Sequence, residues 1–172
     1  MLQAQADITA LQAEIQALKD LLAGITRSSN NLYFDGMNVH IRSGNGSTNA
    51  DVNSFGNLIV GYNELRATGD DRTGSHNIVV GKYQDYSSYG GIVAGFFNTV
   101  SGNYSSVTGG ENNIASGDYS SISGGRLNEA SAYSSSVSGG QNNGAIRAYS
   151  QVAAANGATT DADYDFEAQG VE

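Results

Sequence analysis

The sequence predicts a mainly β fold: a trimeric parallel β-solenoid (β-roll) with an N-terminal parallel coiled-coil helix and a β-hairpin neck. Two observations carry this prediction. Residues 1–26 follow a heptad pattern, and residues 87–152 repeat with a period of 15. A fixed period of this length is typical of solenoids, in which stacked coils bury one continuous core. The predicted divisions are a coiled-coil helix (1–26), a hairpin neck (31–42), a solenoid with 14–15-residue repeats (54–160) and an acidic C-terminal strand or tail (161–172).

Composition narrows the class of protein. The chain has 172 residues with 23 glycines, no proline and no cysteine, which excludes collagen-like and polyproline folds. Only 15% of its residues are charged, and this argues against disorder. The net charge of −9 argues against nucleic acid as a partner. No stretch approaches the roughly 18 apolar residues of a membrane span, so membrane insertion is not expected.

The N-terminal helix carries an apolar stripe that alternates steps of three and four residues. This spacing is typical of the a and d positions of a coiled coil. Glu14 and Lys19 are spaced for an ion pair between parallel chains. Ile at a with Leu at d favours a coiled coil of two helices, whereas Leu22 at a and Ile25 at d favour one of more helices. The heptads therefore leave the number of chains open. The candidate trimer-interface residues are Ile8, Leu11, Ile15, Leu18, Leu22 and Ile25.

The neck is predicted from the segment LYFDGMNVHIR, residues 32–42. Two short runs of alternating apolar residues flank Asp35-Gly36, a dipeptide that favours a type I′ hairpin turn. Solenoids need a cap at their ends, and the hairpin is expected to supply one.

Each solenoid block is predicted to form two short strands joined by glycine turns, as in SGNYSSVTGGENNIA (101–115). Period-two alternation places Ser105, Val107, Asn113 and Ala115 on one side, which is the expected interior. Asparagines in register are expected to bond along the stack. The predicted core residues are Ile92, Val107, Ile122, Val137, Val152, Asn98, Asn113, Asn128 and Asn143.

This interior is thin, with one Val or Ile in each coil. Burying one such side chain contributes about 1.5–3 kcal/mol. Ordering each residue costs roughly 1.5 kcal/mol, so a single coil cannot be stable alone. Association with other chains is therefore expected.

The repeat Asn113-x-Ala115-x-Gly117-x-x-Ser120-x-Ile122-x-Gly124 resembles the NxAxGxxSxAxG repeat of trimeric autotransporter adhesin heads (YadA-like). The resemblance spans roughly residues 56–155 and extends to trimeric fibre proteins in general. It implies a left-handed parallel β-roll, three rolls packed side by side, and binding to host matrix proteins or other surfaces. In that family the stalk follows the head, whereas here the helix precedes the repeats.

Candidate chemical sites are few. Ser75 and His76 are adjacent and therefore expected to point to opposite faces of a strand, so they do not form a nucleophile–base pair. Asp161, Asp163 and Asp165 would share one strand face and are weak candidates for calcium ligands. Phe166 stands where the calcium-loop pattern requires glycine. No catalytic or cofactor-binding residue is predicted.

A column of tyrosines is the candidate ligand surface. Tyr89, Tyr104, Tyr119 and Tyr149 share one register, which Ser134 interrupts. Stacked aromatic side chains are suited to binding glycans or proteins, although rings packed between coils or chains would give the same column. The predicted function is a non-enzymatic fibre or adhesin segment, extracellular, cell-surface or outer-membrane-attached, that attaches to a host or prey surface protein, glycan or matrix. The alternative is a structural spacer in a phage or injection-system tail fibre, part of a virion or tail, that carries a separate tip domain.

Overall fold

The fold is described by a computed structural model that covers residues 2–153 and 155–168. Within these residues the chain is mainly β, with a single N-terminal helix and a parallel β-solenoid of about six turns. The predicted solenoid is thus confirmed. The chain forms two compact units: the helical unit, which ends at His40, and the solenoid unit, which begins at Ile41.

The helical unit contains helix α1 (Leu2–Leu21) and an antiparallel hairpin of β1 (Ile25–Ser28) and β2 (Asn31–Phe34). Ser28 pairs with Asn31, so the turn lies at residues 29–30, where Ser29 has a positive φ of 54°. The hairpin predicted around Asp35-Gly36 is therefore wrong. Asp35 lies instead at the open end of the hairpin, where its N–H donates to the carbonyl of Gly24 at 2.7 Å.

The heptad stripe also ends earlier than predicted. Helix α1 stops at Leu21, and Leu22 keeps one helical hydrogen bond, from its N–H to the carbonyl of Leu18 at 3.0 Å. Ile25 pairs with Phe34 in the hairpin and so does not occupy a d position. The reason is Gly24, whose φ of 86° turns the chain out of the helix.

The solenoid unit consists of parallel strands that stack coil on coil. An eight-stranded sheet runs in the order β3-β4-β6-β8-β10-β12-β15-β17, and a five-stranded sheet in the order β5-β7-β9-β11-β14; β13 pairs with β16. The strands are β3 (Leu58–Val60), β4 (Ile78–Lys82), β5 (Asp85–Tyr86), β6 (Ile92–Phe96), β7 (Thr99–Val100), β8 (Ser106–Val107), β9 (Ile114–Ala115), β10 (Ser121–Ile122), β11 (Glu129–Ala130), β12 (Ser136–Val137), β13 (Gly140–Gln141), β14 (Gly144–Ala145), β15 (Gln151–Val152), β16 (Ala155–Asn156) and β17 (Phe166–Glu167).

Two columns of mostly aliphatic residues fill the interior. One column lies on the eight-stranded sheet and the other on the five-stranded sheet, and all members are at most 2% exposed. The parallel register stacks each member directly on the next. The columns are Val79, Val93, Val107, Ile122, Val137 and Val152, and Tyr86, Val100, Ala115, Ala130 and Ala145.

One predicted core residue is misplaced. Val93, not Ile92, pairs with Val107 and is fully buried, whereas Ile92 is half-buried on the outer face. The early coils have 14 residues, so counting back 15 residues from Val107 gives the wrong position. A one-residue slip moves a strand side chain to the other face of the sheet.

Asparagine side chains form a continuous ladder beside the apolar columns. The Oδ1 of Asn98 accepts a hydrogen bond from the backbone N–H of Asn113 at 2.8 Å, and the same bond links Asn113 to Asn128 and Asn128 to Asn143 at 3.0 Å. Each Nδ2 donates to two backbone carbonyls, one four residues earlier and one in the next coil. Gln84 makes the equivalent bonds at the start of the ladder.

A glycine column lets the coils approach closely. Gly110 has a φ of 83°, and a Cβ on this residue would lie 2.0 Å from the carbonyl oxygen of Gly125. No side chain fits this spacing. The ladder and the glycines together account for the recurrence that dominates the sequence.

Candidate functional site

Six tyrosine rings form one uninterrupted row along the solenoid unit, here called the tyrosine row. Consecutive ring centroids are 4.8–5.5 Å apart, so each ring contacts the next. The row crosses six coils. Its members are Tyr89, Tyr104, Tyr119, Tyr133, Tyr149 and Tyr164.

Two of these tyrosines, Tyr133 and Tyr164, were not predicted from the sequence. Ser134 occupies the backbone position of the column, with a φ of 51°, and the ring of the preceding residue, Tyr133, fills the gap. Tyr164 extends the row by one coil beyond Tyr149. The signal for Tyr164 was its exact distance of 15 residues from Tyr149, but Tyr133 breaks the spacing and could only be found from the structure.

Four of the six tyrosines share an unusual backbone conformation. Tyr104, Tyr119, Tyr149 and Tyr164 occupy coil corners in the left-handed region, with φ between 55° and 61°. Such a conformation costs about 1–3 kcal/mol for a bulky residue. Hydrogen bonds between coils hold the corners in place, as from the N–H of Tyr119 to the carbonyl of Asn103 at 2.8 Å.

The rings are exposed but do not all have the same orientation. From Tyr104 to Tyr164 their exposed fractions range from 39% to 76%. Tyr104 and Tyr119 are stacked at an interplanar angle of 16°, and Tyr149 and Tyr164 at 7°. Tyr133 is tilted by about 70° from both neighbours. Stacked faces cover one another, so the row presents mainly ring edges and phenol hydroxyls.

Carboxylates flank the row. Asp118 accepts a hydrogen bond from the N–H of Asn103 at 2.9 Å, and Asp163 accepts one from the N–H of Ala148 at 3.1 Å. Half-buried Tyr89 has a pKa raised above its ordinary value, first by desolvation and then by Tyr104 and Asp118. The tyrosine row is therefore an aromatic surface bordered by carboxylates.

The candidate calcium ligands lie in a turn, not in the strand that was predicted. In the part of this segment that the structure describes, residues 161–168, only Phe166–Glu167 is a strand, and Asp161, Asp163 and Asp165 occupy the preceding corner. Residues 169–172 of the predicted strand or tail lie outside the described residues. Asp165 accepts a hydrogen bond from the N–H of Asp161 at 3.2 Å, and Asp163 is bonded to Ala148. In the part of the chain that the structure describes, no group of three or more His, Cys, Asp or Glu side chains is placed to hold a metal ion.

Residues 65–75, inserted between early coils, are anchored by Arg66. Its guanidinium bonds to Asp85 Oδ2 at 3.2 Å, to Thr99 Oγ1 at 3.0 Å and to two backbone carbonyls, those of Tyr83 and Asn98. The side chains of Arg66 and Asp85 are only 8% and 9% exposed. Arg66 thus attaches the insertion to neighbouring coils of the solenoid unit.

Burial shifts both members of this ion pair. Desolvation lowers the pKa of Arg66 and raises the pKa of Asp85 above its ordinary value of 3.8. The opposite charge of the partner counteracts each shift without cancelling it. Arg66 therefore helps to keep Asp85 charged in the folded chain.

Ser75 and His76 bond to different partners. Ser75 Oγ accepts from the N–H of Asn53 at 3.0 Å and donates to its Oδ1 at 3.1 Å. His76 Nε2 accepts from the N–H of Ser43 at 3.0 Å. Both side chains hold the segment before β3 against the coil that follows it.

The apolar stripe of α1 is open to solvent in the single chain. Five predicted interface residues are about half exposed, between 48% and 60%. They are Ile8, Leu11, Ile15, Leu18 and Leu22.

Comparisons with protein-family models, with curated proteins and with solved structures each give no match. Among the described residues, no helix is long and apolar enough to cross a membrane.

Proposed function

We propose that the chain is a non-enzymatic segment of an extracellular homotrimeric fibre that attaches to a surface protein, glycan or matrix through the tyrosine row. The observation that carries this proposal is the row itself, six contacting aromatic rings along a repetitive scaffold, of which the five from Tyr104 to Tyr164 are exposed. Aromatic side chains dominate binding surfaces because they combine large apolar area with polar tips.

Two features of the helical unit support trimerisation through a coiled coil. The stripe from Ile8 to Leu22 is exposed at heptad spacing, and an isolated helix gains its stability mainly from packing such a stripe. The two-stranded hairpin leaves Leu32 and Phe34 about half exposed, and an isolated hairpin is marginal in water. Partner chains would cover both.

The orientation of the rings indicates how a ligand would bind. Because the stacked pairs cover their own faces, contact is expected at ring edges and phenol hydroxyls, and not by stacking on flat ring faces. Such a surface suits a polar partner, a glycan or a protein loop that can accept hydrogen bonds from phenols.

The alternative function is a structural spacer in a phage or injection-system tail fibre that carries a separate tip domain. The observation that favours it is also the ring stacking, since aromatic contacts between coils strengthen the scaffold with no ligand present.

Binding assays with matched variants test the attachment role. Wild-type protein would be screened against immobilised glycans and matrix proteins. Tyr119→Ser or Tyr149→Ser is expected to weaken the binding by more than about tenfold, the effect of removing an aromatic hot spot. Tyr62→Ser is the control, because Tyr62 is 93% exposed and lies outside the row. Equal loss in all three variants would contradict a specific role for the row.

Sedimentation equilibrium tests the trimer. Wild-type protein is expected to have three times the monomer mass of 17.8 kDa. Ile15→Asp should dissociate it by placing a charge in the helix seam, whereas Ala17→Asp, off the heptad stripe, should not. A folded wild-type monomer at every concentration would overturn the trimer.

A further inference from the structure

Two pairs within the tyrosine row have a geometry that the others lack. Tyr149 and Tyr164 have ring centroids 4.8 Å apart at an angle of 7°, and Tyr104 and Tyr119 are 5.5 Å apart at 16°. In each pair the two rings come from neighbouring coils, and near-parallel rings direct their edges the same way. In the other pairs the rings are turned by 70–89°, so that the edge of one meets the face of the next.

The stacked pairs are also accessible. Tyr104 and Tyr119 are 39% and 52% exposed, and Tyr149 and Tyr164 are 49% and 76% exposed. A dissolved oxidant can therefore reach both phenols of a pair. The chain contains no cysteine, so disulfides cannot link its coils covalently.

We propose that Tyr104–Tyr119 and Tyr149–Tyr164 are sites of oxidative dityrosine cross-linking between neighbouring coils, with hydrogen peroxide as oxidant and a haem peroxidase as catalyst. Each phenol gives up one electron and its hydroxyl proton and becomes a phenoxyl radical. The two radicals join through their ortho carbons, and the two ring hydrogens move to the phenol oxygens. The O–O bond of the peroxide breaks as it takes up two electrons and two protons to form two water molecules.

The backbone favours reaction within a pair over reaction between molecules. The N–H of Tyr164 donates to the carbonyl of Ala148 at 2.9 Å, and that of Tyr119 donates to the carbonyl of Asn103 at 2.8 Å. Each radical is therefore formed beside its partner ring, and the effective concentration of the partner is high. The product fastens two coils by a bond that survives unfolding. This modification does not depend on the attachment role.

The experiment treats the full-length protein with a haem peroxidase and hydrogen peroxide. Denaturing gels, dityrosine fluorescence and mass spectrometry would then follow the product. Cleavage after Glu111 or Asp118 separates Tyr104 from Tyr119, and cleavage after Asp161 separates Tyr149 from Tyr164, so each cross-link gives its own pair of joined peptides. The expected product is a monomer band that has lost two hydrogens for each cross-link, with both stacked pairs joined.

Two variants make the assignment specific. Tyr164→Phe keeps the ring but cannot form a phenoxyl radical, so it should lose the 149–164 peptides and keep the 104–119 peptides. Tyr62→Phe should change neither, although Tyr62 is 93% exposed. The proposal is overturned if Tyr62 supplies the main product as covalent multimers, or if the turned pair Tyr133–Tyr149 reacts as well as the stacked pairs.

Discussion

The two units of this chain differ in where their apolar side chains lie. In the solenoid unit, the apolar columns are at most 2% exposed, and the asparagine ladder pairs its polar atoms within the chain. In the helical unit, the helix stripe and the hairpin leave their large apolar residues about half exposed. The solenoid unit thus forms a core from its own repeats, whereas the helical unit leaves its apolar stripe uncovered in the single chain.

The largest loss of stability is expected from breaking the asparagine ladder at Asn113. Asn113→Leu removes the acceptor for the N–H of Asn128 and the donor to the carbonyl of Gly109. Each group that loses its partner costs about 1–3 kcal/mol, and urea unfolding monitored by circular dichroism would measure the sum. Ile114→Thr is the control, because Ile114 is 44% exposed on the outer face and its replacement should stay within about 0.5 kcal/mol. Equal losses would mean that the ladder does not stabilise the coils.

The next largest loss of stability is expected from breaking the ion pair of Arg66 and Asp85, which anchors the insertion. Arg66→Met leaves Asp85 buried without a cation and should destabilise the solenoid unit by about 3–5 kcal/mol at pH 7. The raised pKa of Asp85 means that the folded chain binds a proton more readily than the unfolded chain. The loss should therefore shrink as the pH is lowered through that raised pKa toward the ordinary value of 3.8.

Urea unfolding of Arg66→Met between pH 7 and pH 4 measures this dependence. The double variant Arg66→Met with Asp85→Leu removes both charges and should recover much of the stability with little dependence on pH in this range. A loss in the single variant that grows as the pH falls would contradict the assigned role of Asp85.

The third loss of stability, from a substitution in the helix stripe, depends on whether partner chains cover that stripe. Leu18→Ala should lower stability by about 2–5 kcal/mol if partner chains bury the stripe. If the stripe faces solvent, the change should stay within about 0.5 kcal/mol. We expect the larger loss, with a melting temperature that rises with protein concentration. Leu21→Ala is the matched control, since Leu21 is 79% exposed and lies off the stripe.

The smallest effect is expected in the tyrosine row. Tyr133→Ala removes edge contacts to Tyr119 at 5.5 Å and to Tyr149 at 5.4 Å. Each aromatic pair contributes about 0.5–1.5 kcal/mol, and half-exposed rings belong at the lower end. Thermal unfolding would measure the loss, and Tyr62→Ala should show none. If Tyr133→Ala left the thermal stability unchanged, the ring contacts would not stabilise the coils, and the row would serve binding alone.

The sequence revealed the parts of the fold that repeat. Asn98, Asn113, Asn128 and Asn143 were recognisable because each side chain bonds to the backbone of the coil after it, which forces a fixed spacing. The parallel stacking and the buried Val107 column follow from the same register.

Irregular positions could not be predicted in the same way. Val93 was missed because the early coils are one residue shorter, and the hairpin turn was misplaced because Ser29 adopts a positive φ without glycine. Tyr133 fills the ring row from a neighbouring backbone position, a substitution visible only in three dimensions. The anchoring of Arg66 depends on contacts between residues far apart in the chain.

Gln84 shows how the coil length can vary without breaking the ladder. It stands 14 residues before Asn98, one fewer than the later spacing, and its side chain is one methylene longer than asparagine. The longer side chain compensates for the shorter backbone, and every ladder bond is kept. Because each coil presents the same hydrogen-bonding groups to its neighbours, duplication or deletion of whole coils can change the length of the solenoid in increments of about 4.8 Å, one strand spacing. The length of the solenoid can therefore evolve independently of the segments that flank it.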